Sequence, residues 1–158
     1  MSHLPIEETN LFRKVDNLTD RIWKEIDKWK PFLLDTVGKQ LVRAPDSIGA
    51  NLVEGDGRFH AADALRFFFI ARASGRGTLY WLRRCHRRGL ISEELSIELV
   101  SDCNYIFTSL NGLINYRKSQ MSQVREETTV DDPPTSTLNT QHLLISDNPN
   151  QPTPTVVS

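Results

Sequence analysis

The sequence predicts an all-α protein: an antiparallel up-down four-helix bundle followed by a disordered C-terminal tail. Three observations carry this reading. Four stretches repeat apolar residues at steps of three and four, the period of a helix with one buried face. The breaks between them, at Pro31, Gly55–Gly57 and Gly89, are short, which favours antiparallel neighbours. No stretch alternates apolar and polar residues as a half-buried strand does.

At 158 residues, with 39% apolar and 25% charged residues, the chain is one ordinary globular domain's worth. Residues 1–10 read as a lead-in, 11–120 as the bundle and 121–158 as the tail.

The first helix has its stripe at Leu11, Val15, Leu18, Ile22, Ile26 and Trp29, with Asn10 as the expected N-cap. Pro31 lacks an amide donor and pushes Lys30 out of helical angles, so this helix should end between Trp29 and Pro31. The second helix runs from Phe32 to about Val53 on Leu34, Val37, Leu41, Ala44, Ile48 and Leu52. Pro45 lies inside it, and a kink is expected at Arg43–Pro45. Gly55 and Gly57 are expected to end it in the left-handed conformation that glycine adopts without a Cβ penalty.

The third helix, Ala61 to Arg88, has a seam of Ala61, Ala64, Phe68, Ala71, Gly75, Thr78, Leu82 and Cys85. Its arginines lie elsewhere. At about 100° per residue, Arg72, Arg76, Arg83 and Arg87 fall within about 60° of one another. Arg66, Arg84 and Arg88 form an adjoining row, and Asp63 is the only acid between His60 and Ile91. Solvated helix faces usually mix signs, so this one-signed surface is the candidate nucleic-acid interface. Gly89 reads as a C-cap and Ser92 as the next N-cap. The fourth helix runs from Glu93 to Lys118 on Leu95, Leu99, Cys103, Ile106, Leu110 and Leu113. Beyond it, Thr, Ser, Pro, Asn and Gln dominate, a composition too polar to bury a core. Leu143-Leu144-Ile145 is the one apolar cluster there.

Charge is divided along the chain. From Met121 onward Arg125 stands against Glu126, Glu127, Asp131, Asp132 and Asp147, a net of −4, which leaves +3 on the first 120 residues. A basic body with an acidic tail hints at an anionic partner.

Other function classes find no support. The apolar run Phe67–Ala71 falls far short of a membrane span, and the first residues lack the pattern of a signal peptide. The protein is therefore expected in the cytoplasm, with Cys85 and Cys103 as buried, reduced thiols. Two Cys and four scattered His have no metal-binding spacing. Gly55-Asp56-Gly57 is not a dinucleotide loop, because a third glycine and a preceding strand are missing. His60 and His86 have no nucleophile or carboxylate at a readable spacing. No catalytic residue, cofactor, metal or small-molecule substrate is expected.

The segment S-I-G-A-N-L-V-E-G-D-G-R, followed by R-F-F-F-I-A-R-A-S, resembles the signature of the four-helix bundle proteins related to those encoded in intervening sequences of bacterial 23S rRNA genes. The resemblance spans Phe12 to Lys118. It rests on Ser47, Asn51, Glu54, Gly55, Gly57 and Arg58, and on Ala71, Arg72 and Ser74. It implies an up-down bundle that associates into a ring, commonly a pentamer. In one branch it implies the accessory protein of a diversity-generating retroelement, whose basic surface engages nucleic acid and a reverse transcriptase. Asn51, Glu54 and Arg58 could bind a ligand, but are read as structural ties at the end of the second helix. The chain departs from the pattern at Gly75-Arg76-Gly77-Thr78, where Gly77 replaces a common Glu and removes its ion pair. Two functional readings stand: an oligomeric nucleic-acid-binding accessory factor, and an oligomeric scaffold for protein partners alone. The aromatic residues Trp23, Trp29, Phe69, Tyr80 and Trp81 exceed what one stripe per helix can hide, which also points to self-association.

Overall fold

A computed structural model describes residues 4–130, with side chains as far as Val124. Its elements are a 3₁₀ turn at Ile6–Glu8 and four long helices. Helix α1 is Asn10–Ile26 and α3 is Ala61–Arg87. Helix α2 is one continuous stretch: Pro31–Leu33, a π-helical turn at Leu34–Gly38, then Lys39–Asp56. Helix α4 is Glu93–Val130. No strand occurs among the described residues. Each helix packs on the next and α4 closes back on α1, with no comparable contact across the diagonals. That is the expected up-down bundle.

The predicted stripes form the core. Leu18, Ile22, Leu41, Ile48, Leu52, Phe68, Leu82, Leu99, Ile106, Leu110 and Ile114 are fully buried. Burying a side chain of this kind contributes about 1.5–3 kcal/mol, which is why the period-3.6 pattern dominates the fold.

The helix ends differ from expectation in instructive ways. Helix α1 is capped by Thr9, whose Oγ1 accepts from the Phe12 amide at 3.2 Å, and Asn10 is already its first helical residue. Its α-helical part stops at Ile26, because Pro31 holds Lys30 extended and Asp27–Trp29 turn to meet it. Helix α2 stays helical through the buried Pro45, and its departure from α geometry lies earlier, at Leu34–Gly38. There the Lys39 amide reaches back to the Leu34 carbonyl.

Gly57 is right-handed, at φ −73°, so neither it nor the helical Gly55 plays the expected left-handed role. Gly55 instead makes room. A Cβ there would sit 2.6 Å from Cε1 and 2.9 Å from Cδ1 of Phe68, well inside van der Waals contact. Gly89 is left-handed as expected, at φ +65°. It ends α3 in a Schellman motif, with Leu90 N–H donating to the Cys85 carbonyl and Gly89 N–H to that of His86, both at 2.9 Å. Ser92 caps α4 by accepting from the Leu95 amide at 3.2 Å.

Helix α4 outruns its predicted end by about three turns. Residues 121–130, expected in the tail, are helical, and Met121 still packs against the core. The rest of the expected disordered tail, including Leu143-Leu144-Ile145, lies outside the described residues.

The two glycines of greatest interest should behave oppositely. Gly55→Ala forces Phe68 or α3 to move and should cost about 1–3 kcal/mol, the range for overpacking a core. At Gly77 an added Cβ meets only the Ala44 methyl at 3.8 Å. Gly77→Ala should therefore stabilise α3 by about 0.5–1 kcal/mol through helix propensity. Denaturant midpoints of the two variants, compared at equal m-value, test both signs.

Candidate nucleic-acid interface

The arginine-bearing helix is positioned by its seam. Ala64, Phe68, Ala71, Gly75, Thr78, Leu82 and Cys85 are all buried, which turns the arginines outward. Thr78 satisfies its hydroxyl by donating to the Ser74 carbonyl at 3.0 Å. A Cβ on Gly75 would touch the Phe107 ring at 3.4 Å, so this glycine keeps α3 close to α4.

The seven predicted arginines do not behave alike. Arg66, Arg76, Arg83, Arg87 and Arg88 are exposed, whereas Arg72 and Arg84 are partly buried. Arg72 donates to Asn111 Oδ1 of α4 at 3.2 Å and lies 5.1 Å from the centroid of the Phe69 ring. The Nε of Arg84 is buried without a hydrogen-bond partner. Arg76 and Arg83 line an open depression of about 480 Å³ with Leu79, Tyr80, Asn104 and Phe107. The row facing α4 is thus a cationic groove with an aromatic side and one amide, a surface able to hold phosphates without reading bases. Asn104, Phe107 and Tyr80 are site residues that no sequence motif marks.

Electrostatics leave this groove unneutralised. Among the described residues, none of the seven arginines forms an ion pair. Two acids of α4 that might have paired with them are taken from the other side. Arg21 of α1 bonds Glu98 and, at 2.9 Å, Asp102, and Lys14 reaches Asp102 at 3.3 Å. Within α3 itself six arginines face one acid, Asp63.

Acids gather where α1 meets α2. Burial raises the carboxyls of Asp16 and Asp46 above the usual range, and the nearby charge of Asp20 adds to both. The cysteines are free and buried as expected, and burial pushes their thiols up to about 11 for Cys85 and about 12 for Cys103.

The family-signature residues make contacts along their own helix and with α3. Asn51 donates to the Ser47 carbonyl at 2.7 Å and to its Oγ at 3.1 Å, one turn back on its own helix. Glu54 pairs with Arg58 at the same i,i+4 spacing, and the Arg58 guanidinium lies 4.6 Å from the Phe67 ring centroid on α3. Near the signature, polar ties between helices run through Ser74, which donates to Ser47 Oγ at 3.0 Å, and through Asp56. Asp56 accepts from the Ile6 amide and from Arg117, both at 3.1 Å, joining the N-terminal turn, α2 and α4. Nothing in the structure demands a glycine at 57.

His60 and His86 are exposed, and no group of three or more His, Cys, Asp or Glu among the described residues could hold a metal ion. No described helix is long and apolar enough to cross a membrane.

With this geometry established, comparison with known proteins places the chain. The profile of the 23S rRNA-intervening sequence protein family matches residues 7–112. The chain belongs to that family. A crystal structure from Bacteroides thetaiotaomicron VPI-5482, titled a protein with unknown function from the S23 ribosomal protein family, is 27% identical. The match covers 66% of this chain and 97% of that one, at a TM-score of 0.59. Neither description names a catalytic activity. No curated protein matches.

The acids where α1 meets α2 yield a signed pH prediction. A carboxyl whose folded pKa is raised opposes folding while ionised, and this opposition fades as pH falls through the folded pKa. Asp20→Asn should therefore stabilise the protein at pH 7, by about 0.2–0.5 kcal/mol for the like-charge pair with Asp16 one turn away. The gain should vanish when melting is followed below pH 4.

Proposed function

We propose that this protein is a non-enzymatic, homo-oligomeric accessory factor of the cytoplasm that holds nucleic acid on the arginine-rich face of α3. The reading includes service to a reverse transcriptase in a diversity-generating retroelement, as the family resemblance suggests, and a pentameric ring. One observation carries the nucleic-acid part. The guanidinium groups of α3 form no ion pair within the described chain, while Glu98 and Asp102 of α4 are held by Arg21 and Lys14. A row of unpaired cations flanked by Tyr80 and Phe107 supports phosphate contact with occasional base stacking.

A second reading, a scaffold for proteins only, is favoured by a different surface. Trp23 is 59% exposed and borders an apolar groove of about 330 Å³ with Ile26, Leu34 and Val42. Phe32 nearby is 75% exposed. Both features also suit self-association. Of the other aromatics noted in the sequence, Tyr80 is exposed, while Trp29, Phe69 and Trp81 are partly buried against the core.

Two measurements separate these readings. Multi-angle light scattering at micromolar concentration should give a homo-oligomer, with five subunits expected, and a clean monomer refutes the ring. Replacing Arg83 and Arg87 by Gln should weaken binding to RNA and DNA about equally. It should also flatten the salt dependence, by about 0.7–0.9 in the log–log slope for each phosphate no longer neutralised. The fold should survive, because neither arginine has an ion-pair partner within the described chain. An intact oligomer that binds no nucleic acid at low salt, with or without the substitutions, leaves the scaffold reading.

A further inference from the structure

A second groove opens between the start of α3 and the end of α4. It holds about 720 Å³ and is lined by Leu65, Phe69, Ile70, Ala73 and Met121, with Arg66 on its rim. Ile70 is 41% exposed there. Cations surround this apolar floor. Arg72 and Lys118 approach the Phe69 ring from different helices, at 5.1 and 5.3 Å from its centroid. Helix α4 carries no acid between Asp102 and Glu126. An apolar cleft rimmed by positive charge calls for an occupant with a few apolar side chains and negative charge beside them.

The chain contains such a segment. From Glu126 to Ser158 there is no lysine or arginine, and the cluster Leu143-Leu144-Ile145 is followed by Asp147. We propose that Leu143-Leu144-Ile145 docks in the groove at Leu65, Phe69, Ile70 and Met121 of its own chain, with Asp147 against Arg66. Reach supports this choice. Helix α4 is described as far as Val130, which stands about 14 Å along the axis from Met121 at 1.5 Å per residue. Residues 131–142 can span up to about 40 Å when extended, ample for the return. The same reach excludes the groove at Trp23. That groove lies at the level of the Arg21–Glu98 pair, so about 50 Å of helix α4 separates it from Val130. A second copy meeting the groove with this same face would set Arg66, Arg72 and Lys118 against their counterparts, which like-charge repulsion opposes.

The consequence rests on the nucleic-acid reading given above. The docked segment lies over Arg66 and Arg72 and carries its own acids, so it competes with a polyanion for the N-terminal half of the α3 face.

The docking itself can be tested without nucleic acid. Cys85 and Cys103 are buried, with thiols held protonated, so a nitroxide label attached at Ser146→Cys in the full chain goes to that site alone. The expected result is loss of most of the methyl signal of Ile70 and Met121 in the oxidised sample, with Ile97 at the far end unaffected. Replacing Leu143, Leu144 and Ile145 together by Ser in the labelled chain should restore both signals. Unchanged Ile70 and Met121 methyls in the labelled parent would overturn the proposal. So would equal broadening after mixing nitroxide-bearing, isotopically silent chains with label-free, isotope-labelled ones, which would assign the groove to a neighbour's tail.

Discussion

Phe68 can be fully buried because Gly55 has no side chain. The ring occupies the space where a Cβ at 55 would stand, and α2 and α3 approach as closely as that substitution of ring for methyl allows. Neighbouring contacts converge on this point. The guanidinium of Arg117 lies 6.0 Å from the Phe68 ring centroid and is held by Asp56, the residue next to Gly55. Asp56 also takes the Ile6 amide, so one carboxylate closes the end of the bundle where four segments meet. The signature E-G-D at 54–56 is thus a packing device: Gly55 admits the ring and Asp56 fastens what surrounds it. The register of α3 follows from where Phe68 sits, and with that register goes the direction in which every arginine points.

The part of this that was legible in the sequence is the part governed by periodicity. The stripes, the seam of α3, the cap at Ser92 and the left-handed Gly89 follow from residue spacing and local backbone chemistry alone. What was not legible needs knowledge of neighbours. Gly55 and Gly57 read as helix-ending glycines because sequence shows a missing side chain without showing what fills the space. Thr9 and Asn10 are both good caps, and only the chain entering from the Ile6–Glu8 turn chooses between them. The overhang of α4 escapes a compositional reading for another reason. Polar composition after residue 120 argues against a core but not against a helix, since Gln, Glu and Arg propagate helices well. The switch to proline and β-branched residues comes some ten positions later.

The candidate site was half legible in the same sense. The one-signed face could be counted, but its freedom from ion pairs depends on the lateral order of the helices. Glu98 and Asp102 lie on α4 and could have turned toward α3 or α1. They turn toward α1, where Arg21 bridges both. The partition has a direct electrostatic effect. The exposed Arg21–Glu98 pair contributes little stability, about 0–1 kcal/mol, so its larger effect is on where charge remains. Satisfying the acids on the α1 side leaves one edge of the molecule with unpaired arginines. Asp16 and Asp20 of α1 and Asp46 of α2 keep their charges close together, and burial together with the charge of Asp20 shows in the raised carboxyls of Asp16 and Asp46.

This sidedness weighs on how a polyanion could approach. A chain whose net charge is −1 draws no anion by its total charge; only a local field can do so. The field of α3 is local in that sense, because screening at physiological salt leaves charges more than about 8 Å apart nearly independent. A flexible or curved strand lying along α3 would meet arginines at successive turns. In a ring of identical subunits, rotation would repeat that face, turning a weak single-helix contact into several simultaneous ones. The unpaired arginines of one protomer and their repetition in such a ring would therefore act on the same quantity, the number of phosphates held at once. Neither requires a base-specific contact.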